Sequence, residues 1–393
     1  MHVAGPMMVQ RILSLIVAPL LIALLLQSIG DVGTRDSIAY WSAVQAFLAG
    51  DNPYDLDTLR KIQLTAYPLR EKPQLFLNPP WVLPLLVPIF RWNFATSSFL
   101  LLSINISCTL VALQRLGKLV APLPPRYLAI VGGFFPILSC WYFGQLSCFL
   151  LIGSLLSLEW IVHNFRPWWK VALALALFSS KPQTPYLLVI ALLVAIARRP
   201  CSTDVFKTAA LALVPVSFLA YHNEMLGWWF SSFAHSTQWA TSSLPSLAYS
   251  LLCSYNQPFL IFIPAFIIAI LVLAFDRGEI SAHRFITYMV ISSLTAPYAW
   301  IFDFSPLMII TYMVMAIAVY ESLSPLRRAA YVVAVAALCV PFEALFTNNL
   351  QAYALHPIIV AALLIATRRE LCDFIKKTEP QRAPFSNGCT TER

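Results

Sequence analysis

Few residues in this chain have chemistry to offer, and they are widely spaced. Asp36 opens the stretch DSIAYWSAVQAFLAGDNPYD (36–55), and Asp51, Asp55 and Asp57 follow. A positioned carboxylate can act as a general base and take a proton from a hydroxyl. Asp36 also suits a helix N-cap, because Asp accepts hydrogen bonds from the first free amides of a helix. The two roles do not exclude each other. Asp55-Leu56-Asp57 has the form of an Asp-x-Asp metal and sugar-nucleotide triplet, although a solvated turn explains it more simply. Lys181 stands in SSKPQTP (179–185), between two apolar runs. A lysine there is costly unless it faces a cavity or a partner, or snorkels to an interface. The eight cysteines include no CxxC pair and no paired loop cysteines, so neither a metal site nor a disulfide framework is predicted. GxGxxG and GxxxxGK are absent. An activated substrate is therefore not expected to arrive as a cytosolic nucleotide.

These residues sit in a chain built for lipid. Of 393 residues, 59% are apolar and 11% are charged, with a mean hydropathy of +0.73. Soluble domains are about a quarter charged. Apolar runs recur at roughly the twenty-residue length a bilayer core requires, which predicts an all-α polytopic membrane protein. The net charge of +8 lies in short loops and the tail, a positive-inside pattern rather than a nucleic-acid surface. Placing the basic loops inside gives about twelve spans, near 11–30, 94–114, 127–143, 145–165, 169–181, 183–198, 205–222, 257–275, 285–301, 304–322, 329–345 and 353–367. The first is read as a retained span, with both ends cytoplasmic. LNPPWVLPLLVPIF (77–90) is read as not crossing, because its prolines break backbone bonding. A single domain is expected over 1–371, followed by a disordered polar tail over 372–393.

The loop 31–76 falls on the non-cytoplasmic face. Tyr40, Trp41, Val44, Phe47 and Leu48 follow a helical stripe, and Gly50 is a natural stop. An amphipathic helix lying along the membrane interface is predicted, with Asp36 at its start.

D-x-x-x-Y-W-x-A-x-x-x-x-L-x-G-x-N-P-Y-D (36–55), N-P-P-W (78–81), F-G-Q-L (143–146), S-S-K-P-Q-T-P (179–185) and A-P-Y-A-W-I-F-D (296–303) occur in that order. The set resembles glycosyltransferase family 87, which is similar to the polyprenol-phosphate-mannose-dependent mannosyltransferases of the GT-C superfamily. The resemblance spans most of residues 11 to 310. It implies a GT-C-like bundle in a bacterial inner membrane, with the active site on the non-cytoplasmic face. The donor would be a hexose, most naturally mannose, on a polyprenyl phosphate. The acceptor would be a lipid-linked or envelope glycan. Asp36 matches the catalytic aspartate of the first loop. Asn78 follows Leu77 where the family often has a Tyr before its proline pair.

Such a transfer needs a base for the acceptor hydroxyl and cations for the departing phosphate. No metal or cofactor is expected. Lys181 is the candidate phosphate contact, with Arg35 beside Asp36 able to touch phosphate or lipid headgroups. Gln145 can bond a sugar hydroxyl or satisfy its own turn. Asp303 can bind the acceptor or cap the helix after it. Tyr40, Asn78 and His222 complete the substrate-binding set, with His222 and His235 equally readable as plain loop residues. The rival reading is a secondary transporter or lipid flippase, which would show internal repeat symmetry. A further rival is an inactive member of an envelope-assembly complex.

Overall fold

The computed structural model describes residues 19–28, 30–68, 72–198, 218, 222–235, 243–245, 248, 261–275, 279–340 and 354–378. Among them the protein is helical throughout, without strands. The helices are α1 (Pro19–Ser28), α2 (Ser37–Ala49), α3 (Leu56–Ala66), α4 (Leu83–Phe90), α5 (Phe94–Leu119), α6 (Pro125–Gly132), α7 (Phe135–Phe143), α8 (Cys148–Val162) and α9 (Trp168–Phe178). They continue with α10 (Tyr186–Ala197), α11 (Glu224–His235), α12 (Ile263–Phe275), α13 (Ala282–Thr295), α14 (Met308–Tyr320), α15 (Pro325–Ala337), α16 (Leu355–Ala366) and α17 (Arg368–Thr378).

Most predicted spans coincide with a helix; the run 205–222 falls almost wholly outside the described residues. The count of twelve extends beyond the described residues. Among the described residues two helical segments are long and apolar enough to cross a membrane, Phe94–Leu119 and Ile301–Tyr320. A third would be α6 and α7 taken together, which bend by 55° at Gly133–Phe134. The other apolar helices are described over 10–17 residues each. The 77–90 segment forms a short 3-10 turn, Pro80–Val82, and then the eight-residue α4. Eight residues rise only about 12 Å, well short of a bilayer core of about 30 Å.

The core centres on α14, whose preceding 3-10 turn Ile301–Leu307 is also wholly buried. Around it pack α8, which is buried on almost every side, and parts of α6, α13, α15, α16 and α17. A second apolar cluster joins α2 to α4 and α5 through Ile38, Tyr40, Trp41, Phe76, Leu83, Phe90 and Leu101.

This second cluster corrects the reading of the first loop. α2 packs against protein rather than presenting its aromatic stripe outward. Tyr40 is 4% exposed and Trp41 8%, while the polar Ser37 and Ser42 are both at 0%. Helices α3, α4 and α5 cover it from several directions. Its polar face is satisfied from inside: Ser37 Oγ lies 3.0 Å from Ser98 Oγ, and Gln63 Nε2 donates to Ser42 Oγ at 2.9 Å. The helix stops at Gly50 as predicted, with a left-handed φ of 79°.

The Asp-x-Asp triplet is not a turn. Asp55 is the N-cap of α3, accepting from the Thr58 amide at 2.8 Å, and Asp57 lies in the first helical turn. Among the described residues no cluster suited to a metal ion occurs. The start of the expected disordered tail is helical. α17 runs to Thr378, with Leu371, Phe374 and Ile375 buried, and the rest of the tail lies outside the described residues.

Hydrogen bonds from Thr58 hold the Asp55 carboxyl below the ordinary carboxylate range. A depressed folded value means that its cap strengthens α3 above the unfolded pKa of about 3.9. That contribution is lost as pH falls through the lower folded value. Asp55→Ala should cost about 1 kcal/mol of local stability at neutral pH, read as roughly five-fold faster hydrogen exchange at the Thr58 amide.

Candidate active site

Glycine at position 144 makes the site possible. It ends α7 with φ at 67°, a left-handed conformation that L side chains resist. A Cβ there would lie 2.3 Å from the Gly33 carbonyl oxygen. The bare backbone lets the 33–36 segment lie directly on the end of α7. Gly33 N–H donates to the Tyr142 carbonyl at 3.0 Å, and Asp36 N–H donates to that of Phe143 at 2.8 Å. Asp36 is thus fixed by its own backbone to the turn that carries Gln145.

The side chains then meet. Gln145 Nε2 donates to Asp36 Oδ2 at 2.6 Å, and Gln74 Nε2 donates to Asp36 Oδ1 at 3.1 Å. Asp36 makes no side-chain cap bond to α2, so the capping role is not the one its carboxylate plays. Gln145 Oε1 accepts from Tyr40 OH at 2.5 Å and from Lys181 Nζ at 2.9 Å. Tyr40 stands four residues beyond Asp36, on the same face of α2. The Gln145 backbone is clamped too, its carbonyl accepting from Asn105 Nδ2 at 2.8 Å.

Behind Gln145 lies an ion pair. Lys181 Nζ is 2.8 Å from Asp303 Oδ1, and the two side chains are 9% and 1% exposed. Lys181 also donates to Ser147 Oγ at 3.0 Å, and Ser147 Oγ donates to Asp303 Oδ1 at 2.6 Å. The second oxygen of Asp303 accepts from the Trp300 amide at 3.1 Å. The ammonium further sits 4.5 Å from the Phe302 ring centroid, within cation–π range.

The structure gives each sequence-predicted residue a definite set of partners. Lys181 is held inside the protein. An ammonium has three N–H donors, and Gln145, Ser147 and Asp303 take all three. Asp303 is buried, pairs with Lys181 and caps the turn that follows Trp300. Asn78 lies near by, but its amide donates to the Ser180 carbonyl at 2.8 Å and its own carbonyl accepts from Tyr54 OH at 2.9 Å. With Trp81, which donates to the Ser179 carbonyl at 3.1 Å, it holds the loop that carries Lys181. His222 belongs elsewhere. Its ring packs against Phe47 and Phe218, and Phe47 is about 16 Å along α2 from Asp36 at 1.5 Å per residue. Arg35 is exposed, its guanidinium 4.4 Å from the centroid of the Tyr142 ring. The side chain of His235 lies outside the described residues.

Sequence reasoning missed Gln74, Gln63, Ser147 and Asn105. Gln63 bridges the Gln74 backbone on both sides, donating to its carbonyl at 2.7 Å and accepting from its amide at 2.8 Å. Asn105 and Ser147 carried one usable signal, since they are polar residues inside apolar runs. Gln74 and Gln63 carried none.

The model of glycosyltransferase family 87 matches residues 76–297, more than half of the chain. The chain belongs to glycosyltransferase family 87. No curated protein and no solved structure matches it. Membership makes this an enzyme that transfers a sugar, which decides against the transporter reading. Within this family 87 chain the matched region holds Asn78, Gln145, Lys181 and His222. Arg35, Asp36, Tyr40 and Asp303 lie outside it. The tertiary contacts join the two sets, since Gln145 touches both Asp36 and Tyr40 and Lys181 touches Asp303.

The ion pair has a sharp signature. Asp303→Asn leaves Lys181 charged and buried with neutral partners, which should cost about 3–5 kcal/mol. Asp303→Asn combined with Lys181→Met removes both charges and should recover most of that loss. The two effects are compared by thermal unfolding of the purified protein.

Proposed function

We propose that this glycosyltransferase moves a hexose from a polyprenyl phosphate to a lipid-linked or envelope glycan acceptor on the non-cytoplasmic membrane face, with Asp36 as the general base. The observation that carries the assignment is the mounting of Asp36. It is a half-buried carboxylate with each oxygen held by a glutamine amide, and one of those glutamines is itself held by a buried lysine and tyrosine. A carboxylate has about four lone-pair positions, so two amide donors aim it while leaving acceptor capacity.

In the reaction the acceptor hydroxyl oxygen bonds to the anomeric carbon and the bond from that carbon to phosphate oxygen breaks. The proton passes to Asp36 and polyprenyl phosphate departs. The phosphate needs no proton to leave. It needs a cation, and here the sum of the three charges works against Lys181. Asp36, Lys181 and Asp303 sum to one net negative charge, which repels a phosphate. Arg35, exposed and adjacent to Asp36, is the residue placed to meet it, while Lys181 orients Gln145. Mannose as the hexose and inversion at the anomeric carbon rest on the resemblance to the polyprenol-phosphate-mannose-dependent enzymes. A lipid-borne donor fits a chain with no nucleotide-cradling loop and with apolar helices around its site.

Asp36→Asn keeps the size of the side chain and one acceptor oxygen, and it should fold. Transfer from a radiolabelled polyprenyl-phosphate mannose in membranes should fall by about 10²- to 10⁴-fold. Full activity in a folded Asn variant would remove Asp36 as the base. Arg35→Gln should raise the KM for the donor while leaving exchange of the Gln145 amide unchanged. A purely structural arginine would show the reverse.

A further inference from the structure

A second polar site lies at the other end of α5. Ser98 and Asn105 on this helix face the Asp36 region through Ser37 and Gln145. Arg115 is ten residues beyond Asn105, about 15 Å further along the axis. There, α5, α8 and α9 border a half-open cavity of about 400 Å³ lined by Gln114, Arg115, Lys118, Glu159, His163 and Lys170, with Leu119 and Val162.

The charges of this cavity do not cancel. Glu159 is its carboxylate, with a side chain 7% exposed, and it holds Arg115 at 2.8 Å and Lys170 at 2.6 Å. Arg115, Lys118 and Lys170 against Glu159 leave two net positive charges before His163 is considered. Lys170 is also set against its own helix. It stands in the first turn of α9, which holds no acidic residue, and a cation is disfavoured beside a helix N-terminus. Its side chain is only 12% exposed, so water compensates it poorly. Glu159 uses one of the three donors of Lys170 and one nitrogen of Arg115.

We infer that this cavity binds a phosphate-bearing anion, and that the headgroup of an anionic phospholipid is the source its position favours. Basic pockets between membrane helices bind such headgroups. An excess of positive charge rules against a divalent cation. The lining is too polar for an acyl chain alone. Glu159 is a positioning residue here, drawing Arg115 and Lys170 together, while Lys118 stands one turn beyond Arg115 on the same face of α5. The site is separate from sugar transfer and is read by lipid binding, so its test does not depend on Asp36.

Full-length protein in a neutral detergent is titrated with phosphatidylglycerol, with phosphatidylcholine and with inorganic phosphate, and the thermal midpoint is followed. Phosphatidylglycerol should raise the midpoint and phosphatidylcholine should not. Lys118→Gln leaves the Glu159 pairs intact and should weaken the phosphatidylglycerol response about five-fold, as should Arg115→Gln. Lys61→Gln, at an exposed position of α3, should leave it unchanged. Competition by millimolar phosphate would show that the cavity reads the phosphate group itself; its absence, with the Lys118 dependence kept, would show that it requires the lipid. Equal responses to the two lipids overturn the proposal. So does a loss in Lys61→Gln equal to that in Lys118→Gln, which would mark general surface attraction.

Discussion

A lysine inside a bundle of apolar helices has to find a counter-charge, because an isolated ammonium loses far more hydration than packing returns. In this family 87 glycosyltransferase the partner of Lys181 is Asp303, 122 residues later in the chain. The pair joins a proline-broken loop after α9 to the turn that enters α14, the most buried helix. Once made, it leaves the ammonium two more donors, and these fall on Ser147 and Gln145. Gln145 is therefore anchored to the centre of the protein through charge rather than through shape. Its other end reaches Asp36. The position of the proposed base thus depends on an ion pair that never touches it.

The backbone makes the complementary arrangement. Without a side chain at Gly144 the 33–36 segment can lie against α7, and two amide hydrogen bonds set its register. α2 follows directly, and its burial gives Tyr40 a fixed approach to Gln145. An interfacial helix floating at headgroup depth would not hold that geometry. Packing by α3, α4 and α5 supplies the rigidity, and the Gln63–Gln74 bridge extends it to the second oxygen of Asp36. Both oxygens of one carboxylate are aimed by groups from different parts of the chain.

The same chemistry, an acid surrounded by cations, appears at the far end of α5 with the balance reversed. Near Asp36 two acids stand against one lysine, which pairs with Asp303 and reaches Asp36 only through Gln145, and the net charge is negative. Around Glu159 two cations pair with one acid and Lys118 adds a third, and the net charge is positive. The first arrangement suits proton transfer from a hydroxyl, and the second suits an anionic group. α5 runs between them and ties both to one rigid element.

Read alone, the sequence determined the helical class, the lipid setting, most helix positions and the family, because apolar run length, basic loops and ordered motifs are local properties. It also singled out Asp36, Gln145, Lys181 and Asp303, each as a polar residue in a costly place. It could not show that the four belong to one network, since their separations of 36 to 122 residues carry no periodicity. Nor could it show that α2 is buried, because an apolar stripe looks the same whether lipid or protein covers it. Gln74 and Gln63 were invisible for a related reason: an amide in a polar loop costs nothing until folding encloses it. Which acceptors the three donors of Lys181 meet was decided only when the tertiary fold placed Asp303 and Ser147 within hydrogen-bonding distance.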